Sequence, residues 1–184
     1  MALNPDAELL VTDWFNRTRE SQRAHYACCA RFRRLNYILG IPTIILTTVV
    51  GMAIFAAVAN DKVTDEMKIA VGLLSLVAAV LASLQTFLGF SHRIDQHRVA
   101  GAGYGSIGRS LEFLKTFSPS DPDELKRIVA QIQKQLDSLT ESSPEVPARL
   151  QSKIGSELNG NGHRRIFAVA PPEDDKKPVP ATNG

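Results

Sequence analysis

From Leu35 through Asn60 the sequence contains no Asp, Glu, Lys or Arg, and from Ile69 through His92 there is again none. These two charge-free stretches restrict the fold more than any other property of the chain. A bilayer core about 30 Å thick takes ~20 helical residues at ~1.5 Å each, and both stretches are long enough. Ile38 to Ala59 holds eleven Ile, Leu, Val or Phe, and Ile69 to Phe90 holds twelve. At roughly −0.3 to −0.6 kcal/mol each, offset by small terms for Thr, Ser, Gly and Gln, both windows favour insertion. The soluble alternative is a helical hairpin buried in a large bundle. It needs apolar helices on every side, and the rest of the chain is too polar to supply them. The pattern predicts an all-α membrane protein: a two-transmembrane helical hairpin with spans at about 36–59 and 69–90, long cytoplasmic helical extensions, and a disordered C-terminal tail over 159–184.

Whole-chain averages conceal this. A composition of 44% hydrophobic and 22% charged residues with a mean hydropathy of −0.06 would suit a soluble domain, but here it averages two apolar spans with polar flanks. Apolar content is too high for a disordered chain, and a formal charge of +2 is too weak for a nucleic-acid binder, so no nucleic-acid partner is expected. The charge divides as +2 over Met1 to Arg34, −1 over Asp61 to Lys68, +2 over Arg93 to Ser118 and −1 beyond. Arg17, Arg19, Arg23, Arg31, Arg33 and Arg34 precede the first span, Arg93, Arg98 and Arg109 follow the second, and the connection offers only Lys62 and Lys68. The positive-inside rule places both termini in the cytoplasm and predicts an integral protein of the plasma membrane. Met1 to Leu10 carries Asp6 and Glu8 and no basic-then-apolar pattern, so no signal peptide is expected. Cys28 and Cys29 are neighbours, too close in sequence for an internal disulfide on a helix.

In the connection, Thr64 is placed to cap the second helix, with Asp65 and Glu66 in its first turn. Before the first span, Ala7 to Arg34 has good helix formers and no Gly or Pro, which predicts one long helix running into the membrane, with Pro42 a potential kink. The second span is expected to continue as helix through Ser91 to Arg98 towards Phe117, setting Asp95 at the depth of Arg31 and Arg34. Asp121, Pro122 and Glu124 read as an N-cap, N1 and capping box ahead of an apolar face at Leu125, Ile128, Val129, Ile132, Leu136 and Leu139. A shorter amphipathic piece carries Leu150, Ile154 and Leu158, and Ile166 to Ala170 is a small apolar patch in the polar tail.

Gly103 to Gly108 spells G-x-G-x-x-G, but a dinucleotide fingerprint needs a strand before it and a βαβ unit around it, and here a membrane helix precedes it. Gly101, Gly105 and Gly108 instead have the spacing that lets one helix pack closely on another. His92 and His97 are half-opposed on a helix and neither cysteine lies at ligand spacing from them, so no metal site is expected. No catalytic constellation or cofactor motif is defensible, and the chain is not expected to be an enzyme. The informative pattern is in the spans: Gly72, Ser75, Ala79, Ala82 and Thr86 form a narrow stripe of small and hydroxyl residues, echoed by Thr43, Thr47 and Gly51. Such stripes serve close helix packing or face water in a pore. Two helices cannot enclose a channel, so a pore requires a homo-oligomer. In the cytoplasmic part, His25, His97, Tyr104 and Arg109 form a candidate seam or gate, since helical rise puts Tyr104 near the depth of His25.

The combination of Trp14, His25-Tyr26, Arg31-Phe32, Tyr37 to Pro42, Gly51, Leu84 to Leu88, His97-Arg98, Ala100-Gly101, Tyr104 and Arg109 resembles the SLATT domain, the SMODS- and SLOG-associating two-transmembrane effector domain, over about residues 6–158. The resemblance implies a membrane effector of prokaryotic conflict systems. Its oligomers would form pores that arrest or kill the host cell when a nucleotide-signalling or sensor partner activates them. It implies no catalytic residues, and this chain shows no fused sensor of its own. The alternative function is a membrane-anchored adaptor whose hairpin only tethers the cytoplasmic helices to the bilayer.

Overall fold

The computed structural model describes residues 5–59 and 64–160 of the 184. Among these residues every regular element is helical: α1 Pro5–Ala59, α2 Asp65–Leu88, α3 Phe90–Thr116, α4 Pro122–Ser142 and α5 Ala148–Gly160. The connection at 60–63 and the segment 161–184, with most of the expected tail and the Ile166 to Ala170 patch, lie outside the described residues. Helix α5 runs two residues into the region expected to be disordered.

Helix α1 is a single element of 55 residues that includes Pro42, roughly 80 Å at 1.5 Å per residue. Its length follows from the absence of any helix breaker before Gly40 and from a run of Ile, Leu, Val and Ala beyond it. Both α2 and α3 pack along it. The pairs Gly40 with Gln85, Gly101 with His25, Gly105 with Gln22 and Gly108 with Thr18 run in opposite directions along the two chains, so the partner strand of the hairpin is antiparallel throughout. Lys115 Nζ donates to Thr12 Oγ1 at 2.9 Å near the far end of the seam.

Thr64 caps α2 as the sequence predicts, its hydroxyl accepting from Met67 N–H at 3.4 Å. The continuous second helix expected from the sequence is interrupted, however. Gly89 takes φ 54° and ψ 39°, at once the C-cap of α2 and the N-cap of α3. Only glycine adopts this left-handed conformation without a Cβ penalty. Asp95, expected at the depth of Arg31 and Arg34, pairs within α3 with Arg98 at 3.2 Å. At α4, Asp121 caps the helix through Asp123 N–H at 3.0 Å, with Pro122 in the first turn.

Among the described residues, two helices are long and apolar enough to cross a membrane. Their apolar side chains stay outside any core: only 11% and 6% of the two most apolar windows are buried, and Phe55 and Phe87 are 80% and 88% exposed. A core helix of a soluble bundle would show the reverse.

The helical extensions beyond the apolar stretches, by contrast, form a packed bundle. Val11 of α1, Ile107, Leu111 and Leu114 of α3, and Ile132 of α4 make one buried cluster, edged by Trp14, Phe15 and the apolar face of α4. A second cluster joins Ala24 of α1 to Ile154 and Leu158 of α5. Helix α4 therefore packs on α3 and α5 on α1, each by the face its sequence periodicity marks out.

Candidate functional site

Glycine sets the α1–α3 seam. A Cβ on Gly101 would meet His25 Cβ and the Tyr26 ring at 3.4 Å, and one on Gly108 would meet Thr18 Oγ1 at 3.5 Å. One on Gly105 would lie 2.5 Å from Gln22 Nε2, the mobile end of a long side chain. The three glycines thus face α1, while Gly103 faces Leu139 of α4. Alanine at position 101 makes ordinary contact and is tolerated; it gains up to about 1 kcal/mol of helix propensity. Leucine there has no space, and Gly101→Leu is expected to cost about 1–3 kcal/mol in thermal unfolding of the detergent-solubilised chain.

Close backbone approach brings three of the four predicted seam residues together. His25 Nδ1 and His97 Nδ1 are 2.9 Å apart, both residues are buried, and the rings lie 5.2 Å centroid to centroid. One imidazole must donate and the other accept, so the contact requires two neutral rings in opposite tautomers, or one shared proton. Tyr104 stacks on His25 at 5.4 Å with an interplanar angle of 16°. Its hydroxyl lies 3.3 Å from Thr140 Oγ1, which donates its own proton to Leu136 O, so the tyrosine is the donor. On the membrane side, Phe32 stacks on His97 at 5.6 Å and meets Phe90 at 6.4 Å, with the Arg93 guanidinium 5.9 Å above the Phe32 ring. An unbroken series of ring contacts therefore runs from Tyr104 to Phe90, the residue after the Gly89 break.

Electrostatics hold the pair uncharged. Burial, reinforced by His97, lowers the His25 pKa from 6.5 to about 4. Burial and then the Arg93 charge lower that of His97. Burial likewise raises both cysteine thiols, and Cys29 Sγ donates to Ile94 O at 3.3 Å, so the two cysteines are packing residues rather than reactive thiolates.

Arg109 does not join the cluster. It is exposed and borders a separate groove with Phe113 and Phe117. Helical phase explains the separation: the seam positions 97, 101, 104 and 108 step by four, three and four, and 109 lies about 100° round from 108. Sequence reading also passed over Asp13, Thr18 and Glu20, all buried on α1. Thr18 satisfies itself through Phe15 O at 2.8 Å, whereas Asp13 Oδ1 has no hydrogen-bond partner among the described residues.

In the spans, the small-residue stripe is divided between the α1–α2 seam and an open face. Helix α2 turns Ala78, with Ser75, Ala82 and Gln85 half-buried beside it, towards α1. Gly72, Ala79 and Thr86 are exposed, one position or about 100° round. On α1, Thr43 is buried in the seam, Gly51 is half-buried and Thr47 is exposed. The hydroxyls bond back to their own helix: Thr43 to Leu39 O at 2.7 Å, Thr47 to Thr43 O at 2.9 Å, Ser75 to Val71 O at 2.8 Å and Thr86 to Ala82 O at 3.1 Å. Each donor is satisfied without water, which suits it to an apolar surrounding.

No family model, curated protein or solved structure matches the chain.

Proposed function

We propose that the chain is the subunit of a homo-oligomeric pore in the plasma membrane, with both termini in the cytoplasm. It would act as an effector of a conflict or defence system: a nucleotide-signalling or sensor partner acts on the cytoplasmic bundle, the pore opens, and loss of the membrane gradient arrests or kills the cell. The observation that carries this reading is the unpartnered hairpin. Two helices leave most of their apolar residues outside any core, and beside the α1–α2 seam an open lane at Gly72, Ala79 and Thr86 has nothing packed on it among the described residues. Small residues let copies approach closely in lipid, and a face that is not lipid-covered in an assembly lines its interior. The resemblance to the SLATT family supports the same reading.

Single cysteines placed from position 72 to 86 in a background lacking Cys28 and Cys29 test it. In vesicles, a water-soluble thiol reagent is expected to label with a helical period peaking on the lane, with dye leakage from the same vesicles. Uniform protection without leakage would instead identify a membrane-anchored adaptor.

A further inference from the structure

We propose that a cavity in the cytoplasmic bundle binds a small zwitterion of the amino-acid class, its carboxylate at Arg17 and its ammonium at Asp137 and Glu145. The cavity, about 550 Å³, opens between α1, α3, α4 and the segment leading into α5. That volume lies within the range of small-molecule sites. Trp14, His25 and Tyr104 line it from within, and the three charged residues stand exposed around it.

Charge decides the ligand class. Arg17, Asp137 and Glu145 share one cavity, yet none of them makes an ion pair among the described residues. Two carboxylates against one guanidinium oppose a polyphosphate, whose several negative charges would meet a net negative wall. His25, held neutral, adds no positive charge there. A bare diamine would satisfy the carboxylates and be repelled by Arg17, whereas a zwitterion satisfies both signs. The end of α4 agrees: the helix stops at Ser142, beside the lining residues Ser143 to Val146, and its negative end favours an ammonium there. The Trp14 and Tyr104 rings add faces for a cation or an apolar side chain. The site stands independently of the pore, because binding is read without conduction.

The full chain in nanodiscs is titrated calorimetrically with each of the common free amino acids, with putrescine as an amine alone, with propionate as a carboxylate alone, and with ATP. At least one amino acid is expected to bind, and to bind ~tenfold or more tighter than putrescine or propionate. Arg17→Met and Asp137→Asn, both at exposed positions, are each expected to weaken that binding ~tenfold or more while the unfolding midpoint without ligand stays unchanged. The proposal is overturned by any of three results: no amino acid binds at about 10 mM, binding is indifferent to both substitutions, or ATP or putrescine binds more tightly than every amino acid.

Discussion

Replacing Gly72, Ala79 and Thr86 together by leucine is expected to abolish vesicle leakage and cellular toxicity while leaving the hairpin inserted. The three positions are exposed on α2 and a side chain added at Gly72 meets nothing within 4 Å, so the single chain accommodates the added volume. Leucine also inserts more favourably than glycine or threonine. Any loss must therefore arise between copies, either because close helix approach is blocked or because a pore lining is filled. Ser75 and Ala82 are less suitable targets: both are half-buried beside α1, and enlarging them would disturb the hairpin itself. Leakage is expected to fall by ~tenfold or more, with protease protection of the spans unchanged. Wild-type leakage from the triple variant would remove this lane from the mechanism.

Acidification is expected to loosen the helical bundle around the His25–His97 pair between about pH 6.5 and pH 4. Unfolded His25 takes up its proton near 6.5, whereas in the folded chain it does so only at about 4. Its contribution is fully present above the unfolded value, falls through the interval, and declines no further below the folded one. For a residue only 3% exposed, that separation corresponds to roughly 3 kcal/mol. His97, lowered by burial and by Arg93, acts in the same direction. A single proton can be shared across the 2.9 Å contact, but a second places two cations side by side beneath the Arg93 charge. The unfolding midpoint of the solubilised chain should drop steeply across this range. In the double variant His25→Phe and His97→Phe, which keeps two flat rings against Tyr104 and Phe32, the profile should flatten. Equal pH slopes in the two proteins would assign the loss to other groups.

Much of this architecture is legible in the residues because it depends on local rules. Absence of charge marks the two apolar helices, Thr64 and Asp121 mark helix starts, and glycines at 101, 105 and 108 mark a face that must approach another helix. Rise per residue alone places Tyr104 opposite His25. Arg109 was misplaced because depth was matched and phase was not. Gly89 was missed for a different reason: in Leu88-Gly89-Phe90 no cap or charge accompanies it, and small residues are ordinary in apolar helices. The cavity beside His25 was invisible because its walls come from segments more than a hundred residues apart. No periodicity within one helix reports such a site.

The seam between α1 and α3 has a consequence for biogenesis. Lys115 reaches Thr12 across 103 residues of chain, which a ribosome adds in roughly 5–20 s. Throughout that interval the N-terminal half of α1 has been made, and its face towards α3, with Val11 and His25, has no α3 to cover it. On the proposed topology it is covered only after the second span has entered the bilayer and α3 has emerged on the same side as α1. A nascent chain whose second span fails to insert would leave α3 on the wrong side and the face of α1 bare, a state that chaperones and proteases recognise. On that topology, correct insertion of the hairpin is a precondition for folding of the helical bundle beside the spans.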